Sequence, residues 1–107
     1  MKLREIQHMV HALAVEKGWW QEPRHAAEVI ALCHSELSEA LEELREPTPR
    51  VFEIADNGKP EGWAVELADC IIRILDFCDA HGIDLEHVLI MKHGYNKSRS
   101  YKHGKVF

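Results

Sequence analysis

The sequence predicts an all-α fold, a four-helix bundle completed by oligomerisation. Three observations predict it. Apolar residues recur at steps of three and four in four segments, and strand alternation does not stand out. Glycine and proline fall between those segments, where helices stop and start. The third segment is apolar over well over half its circumference, more than a chain of 107 residues readily covers alone.

The first helix runs from about Lys2 to Lys17, with Leu3, Ile6, Val10, Leu13 and Ala14 on one side, and Gly18 ends it. A loop, Trp19 to Pro23, follows, and Pro23 suits a first helical turn. The second helix reaches about Glu46 and stops before Pro47. Its apolar line is Ala26, Ile30, Cys33, Leu37, Ala40 and Leu44. Residues 47–60 read as a loop rich in Pro, Asn, Asp and Gly, and Pro60 is expected to open the third helix.

The third helix runs to about His81. Leu67, Ile71, Ile74 and Cys78 form its main stripe, widened by Ala64, Ala68 and Leu75. Only a narrow seam of Glu66, Asp69, Arg73 and Asp76 is polar, so most sides need a partner, and in so short a chain that implies a second copy. Gly82 closes this helix and Asp84 caps the fourth, which carries Leu85, Val88, Leu89, Lys92, Tyr95 and Asn96 before fraying.

The chain reads as a single domain, residues 1–107, with a basic tail at about 97–107. No stretch approaches a membrane span, and the first residues lack the apolar region of a signal peptide. Cys33, Cys70 and Cys78 fall in apolar stripes and form no C-x-x-C, which reads as reduced core cysteines in a cytoplasmic protein. Residues 1–91 hold 18 acids and 8 bases, whereas residues 92–107 hold no acid and 5 bases. So acidic a body argues against a nucleic acid polymer as partner. The basic end can hold a phosphorylated small molecule, or it is only a solvated tail.

Chemistry concentrates in two acidic pairs, Glu36-x-x-Glu39 and Glu66-x-x-Asp69. Spacing of i, i+3 puts each pair on one side of its helix. A lone pair is a common solvated face. Here, however, Leu32 and Val29 continue the line of Glu36 along the second helix, and apolar residues flank the seam of the third. Both pairs are therefore expected to face inward. Four converging carboxylates must be protonated, paired or metal-bound, and an all-oxygen set suits Mg²⁺, with Mn²⁺ possible. Arg73 can neutralise one of them but not four. The E-x-x-H pairs Glu5/His8 and Glu22/His25 suggest a di-iron site, but Glu22 precedes a proline and lies outside a regular helix. Trp19 and Trp20 either stack on a base or plug the end of the core. No P-loop motif is present.

The E-x-x-E helix followed by an E-x-x-D helix resembles the signature of the MazG-like all-α nucleoside triphosphate pyrophosphohydrolases. The stretch Lys92-His-Gly-Tyr-Asn96-Lys97-Ser-Arg99, then His103-Gly-Lys105, is similar to the end of many members. The 26 residues between Glu39 and Glu66 stand toward the long end of what that family allows. The resemblance covers about Ala26 to Lys105. It implies Mg²⁺ held by Glu36, Glu39, Glu66 and Asp69, and phosphates met by Lys92, Asn96, Lys97 and Arg99. It also implies a homodimer or homotetramer. Glu39 is the candidate to orient or deprotonate the attacking water. The expected activity is cleavage of a nucleoside triphosphate or related nucleotide to monophosphate and pyrophosphate. The alternative is a non-catalytic helical oligomer that binds metal or nucleotide to regulate a partner.

Overall fold

A computed structural model describes residues 1–107. Helix α1 spans Leu3–Glu16, α2 Ala26–Leu44, α3 Trp63–Ala80 and α4 Leu85–Lys97. Two short strands, β1 (Glu53–Ile54) and β2 (Pro60–Glu61), lie between α2 and α3. Apart from that pair the chain is all-α, and no helix is long and apolar enough to cross a membrane.

The helix ends expected at glycine are both present. Gly18 and Gly82 take left-handed angles, φ 89° and 68°. One residue later the chain donates back into the helix: Trp19 N to Ala14 O at 3.0 Å, and Ile83 N to Cys78 O at 2.8 Å. Asp84 caps α4, its Oδ1 accepting from His87 N at 3.2 Å.

Two helix starts differ from expectation. Pro23 stays in the loop, and His25 caps α2 instead, Nδ1 accepting from Ala27 N at 3.2 Å. Pro60 does not open α3; it pairs antiparallel with Ile54, and Glu53 pairs with Glu61. Part of the expected loop is thus a hairpin, turned at Asn57-Gly58. Arg50 clamps its base, Nη1 donating to Glu53 at 2.7 Å and to Glu61 at 2.9 Å. The hairpin is then tied to α3, because Trp63 N and Ala64 N each donate at 3.0 Å, to Arg50 O and Val51 O. These amides would otherwise be orphan donors at a helix start. Only glycine permits so close an approach at position 62: φ is 120°, and a Cβ there would lie 2.4 Å from Val51 O.

Helices α2 and α3 pack lengthwise, α1 packs on α3, and α4 leans on α1 with no comparable contact to α2 or α3. Within one chain the bundle therefore has three helices. Its apolar core is thin: Val29, Cys33, Ala40, Cys70, Leu75 and Cys78. Of the stripes expected to be buried, Cys33, Ala40, Leu75 and Cys78 are inside, but the larger aliphatic side chains mostly face outward. Ile30, Leu37 and Leu44 of α2 are exposed, as are Leu67, Ile71 and Ile74 of α3, with Ile71 at 53%. The polar seam takes the inner position because its partners are there. Glu36 and Trp20 reach Arg73 and Asp76 from α2 and from the loop after α1.

The result is an open molecule. A compact protein of 12.3 kDa exposes about 6,100 Å², whereas this chain exposes 8388 Å². Its radius of gyration is 16.5 Å, against about 13 Å for a compact domain of this length.

The hairpin anchor gives a direct test of the fold. Gly62→Ala should destabilise by about 2 kcal/mol or more, because backbone must move. Gly82→Ala, with open space around it, should cost only about 1 kcal/mol. Thermal unfolding of the two variants side by side measures the difference.

Candidate metal centre

Helix periodicity sets the site. Glu36 and Glu39 stand on α2 and Glu66 and Asp69 on α3, and lengthwise packing turns the two pairs together. Carboxylate oxygens of Glu36, Glu39 and Glu66 lie within 4.8 Å of one another. Asp69 stands outside that tight group, yet within electrostatic range of both Glu36 and Glu39. Glu36 is buried, Glu66 and Asp69 are half-buried, and Glu39 is exposed. The site is therefore closed on one side and open on the other.

The electrostatics are those of crowded acids. Burial, then a hydrogen bond and charge repulsion from Glu39, push Glu66 up to about 7 from its ordinary 4.5; Asp69 and Glu36 add to it. Asp69 is raised by burial and then by Glu36; Arg73 opposes, Glu39 adds, and Lys59 opposes. One ion pair relieves the cluster: Arg73 Nε donates to Glu36 Oε1 at 2.9 Å. The pair occupies one oxygen of Glu36 and none of the other three acids. The donor set fits a hard divalent cation, being all oxygen, anionic and open to solvent at Glu39.

Glu42 and Glu43 line the same acidic groove as Glu39 and Glu66. Spacing alone suggests that Glu42 points away, but it belongs to this rim. Of the candidates for phosphate, Lys92, Asn96, Lys97 and Arg99, none pairs with the cluster inside one chain. Lys92 and Arg99 lie over the Tyr95 ring at 4.9 and 5.6 Å. The Asn96 amide oxygen is buried without a donor.

A cleft of about 580 Å³ runs from the cluster between α1, α2 and α3. Glu36, Asp69 and Arg73 line it together with Val10, Leu32, Ile72 and Trp19. That volume and mixed lining suit a small organic ligand. Asp76 lines it too, buried and held by two donors, His11 Nδ1 at 2.8 Å and Trp20 Nε1 at 2.9 Å. Trp20 thus plugs the α1/α3 contact, its ring edge-on to His11 at 5.5 Å. Trp19 stays exposed, with Arg24 5.8 Å above its ring. His8 is engaged by Asp79 at 2.6 Å, and His25 caps α2, so neither E-x-x-H histidine joins the carboxylates.

Comparison with protein-family models, curated proteins and solved structures finds no match. The resemblance to the MazG-like proteins therefore stands on the motif residues alone.

The network of His11, Trp20 and Asp76 lies outside the E-x-x-E and E-x-x-D motifs. Its signal is a second pair of i, i+3 pairs, His8/His11 on α1 and Asp76/Asp79 on α3.

The raised Glu66 carries a pH signature. Folded protein holds this proton up to about pH 7, while the unfolded chain loses it near 4.5. Between those values the folded state binds more protons, so metal-free stability should rise as pH falls through the window. Melting temperature measured in EDTA across pH 5–8 checks this, and Glu66→Gln should flatten the slope.

Proposed function

We propose that the protein is a Mg²⁺-dependent nucleotide pyrophosphohydrolase of the MazG-like kind. The observation that carries this is the convergence of Glu36, Glu39 and Glu66 beside Asp69, at the end of a cleft large enough for a nucleoside. Glu36, Glu39, Glu66 and Asp69 would hold Mg²⁺, which when bound neutralises phosphate oxygens and lowers the pKa of water.

The chain's own groups supply the rest. Glu39, exposed and close to Glu66, would, instead of ligating the metal, take a proton from the attacking water. The water oxygen bonds to the α-phosphorus, the bond to the bridging oxygen breaks, and pyrophosphate leaves. Arg73 fixes the Glu36 carboxylate, so that α2 and α3 present their acids in one register. The apolar walls of the cleft, Val10, Leu32 and Ile72, exclude water from one side of the bound nucleoside.

We infer also that two copies associate through the outward faces of α2 and α3. The surface exposed beyond a compact monomer, roughly 2,300 Å², matches what an obligate interface takes from one subunit. Leu41 of α2 and Ile71 of α3 are more than half exposed, at 57% and 53%.

One observation favours the non-catalytic alternative. Arg73 already satisfies part of Glu36 without a metal, as a structural ion pair would. Turnover separates the two readings.

Three outcomes are expected. In a nucleotide panel with Mg²⁺, pyrophosphate should be released, and EDTA should abolish that release; full activity in excess EDTA would remove the metal from the mechanism. Glu39→Gln and Asp69→Asn should each lower turnover by about a hundredfold or more while metal-free stability holds or rises. Glu16→Gln, on the exposed end of α1, should change neither property. Light scattering should give at least a dimer at micromolar concentration, and Ile71→Asp should dissociate it; a stable wild-type monomer would refute the interface.

A further inference from the structure

We propose that the Asp76 carboxylate reads the nucleobase: its free oxygen, Oδ2, accepts a hydrogen bond from an exocyclic amino group of a base seated in the cleft. This rests on reading the site as a nucleotide site, and it makes Asp76 a specificity-determining residue outside the acidic motifs.

Helix geometry places Asp76 relative to the carboxylate cluster. Asp69, Arg73 and Asp76 follow one another at i, i+4 and i+7, so they share one side of α3, and all three line the cleft. Asp76 therefore lies two turns, about 10 Å, beyond Asp69 along the helix. A span of that order separates the α-phosphate from the far edge of the base in an extended nucleotide. Val10, Val29, Leu32 and Ile72 give the same cleft apolar walls, against which base and sugar can lie.

The hydrogen bonds of Asp76 leave one oxygen over. The residue is only 7% exposed, and a single atom takes both bonds: Oδ1 accepts from Trp20 Nε1 at 2.9 Å and lies 2.8 Å from His11 Nδ1. Oδ2 has no protein partner, and no lysine or arginine pairs with this carboxylate. Nor is Oδ2 sealed from solvent, because the one side-chain polar atom both sealed and unpaired is Asn96 Oδ1. The cleft that Asp76 lines is its opening. A carboxylate oxygen between apolar walls costs free energy once a ligand displaces its water, unless the ligand brings a donor. An ionised carboxylate only accepts, so the complementary ligand atom is an N–H. An exocyclic amino group presents one pointing away from the ring. The ring N–H of a keto base sits beside a carbonyl, whose oxygen would meet the carboxylate too and be repelled.

Trp20 makes the test sharp, because an indole N–H can only donate. In Asp76→Asn the amide oxygen has to keep that bond, so the amide NH₂ takes the place of Oδ2 and the acceptor becomes a donor. With Mg²⁺ present, kcat/KM is measured for dCTP against dUTP and for ATP against ITP, pairs that exchange an amino group for a carbonyl. The matching monophosphates are titrated calorimetrically. Wild type should favour the amino member about tenfold or more in each pair it accepts. Asp76→Asn should erase or invert that preference. Asp76→Ser, which has no Oδ2 and brings no amide donor, should erase it without inversion. Each preference is a ratio within one protein, so a lowered melting temperature alone does not move it. Equal acceptance of both members by wild type overturns the assignment, and this arm needs no variant to fold. An amino preference that persists in either variant overturns it too, because the base is then read elsewhere. Wild type that neither hydrolyses nor binds any of these nucleotides overturns the functional reading and this assignment with it, an outcome distinct from hydrolysis without preference.

Discussion

The inward turn of the α3 seam is the constraint on which the rest of this molecule depends. A helix that is apolar on most sides would normally hide its apolar stripe and leave its acids in water. Here the acids face the chain's own helices. Glu66 and Asp69 meet Glu36 and Glu39, Arg73 meets Glu36, and Asp76 meets His11 and Trp20. Each polar group on this seam has a partner or an opening to solvent, as low-dielectric surroundings require. Arg73 pairs with one acid, and burial and crowding push Glu66 up to about 7, and both ease the repulsion among the acids. Charge left over is a standing demand for a cation. The cost is a thin apolar core, which is the usual trade between a polar site and stability.

The same turn explains why the molecule is open. With the seam inside, Leu67, Ile71 and Ile74 must face out, and the exposed leucines of α2 lie alongside. The far end of the α1/α3 contact is held by polar ties as well. Gln7, only 2% exposed, donates to Ile83 O at 2.7 Å and accepts from Leu85 N at 3.4 Å, so it fixes the turn into α4. Helix α4 has no buried residue of its own. Its placement rests on these ties and on α1, and its basic residues are left free of the acidic body within one chain.

Periodicity in the sequence tells which residues share a line along a helix, but not which line faces the chain. That distinction separates what was legible from what was not. Four helices, the glycine stops at Gly18 and Gly82, the cap at Asp84 and the placing of each acidic pair on one side of its own helix follow from local rules; the helices, stops and cap are present, and Glu36, Glu39 and Glu66 come together while Asp69 stands outside the tight group. The facing of α2 and α3 is decided by tertiary partners, chiefly Arg73, His11 and Trp20, whose contacts span 37 to 65 residues of sequence. No window of a few turns contains that information. The start expected at Pro60 differs for another reason. Proline suits a first helical turn, but it suits the start of a short edge strand equally. At Pro60 the Asn57-Gly58 turn signal favours the hairpin, and Gly62 then carries the chain into α3.

Small side chains complete the logic of the site. Carboxylates from two helices come within reach of one another only if the helix axes approach closely, and close approach needs little volume between them. Among the buried core residues of α2 and α3, Cys33, Ala40 and Cys70 are small. Burial first, and then the facing Cys70 thiol, push the Cys33 thiol up, so it stays protonated and behaves as a small hydrophobe. Leucine in these places would add apolar burial and thicken the core. It would also hold the helices apart and spread the acids beyond the reach of one ion. The thin core and the tight acidic cluster are thus one choice seen from two sides, and the outward apolar faces are where the missing burial has to be recovered.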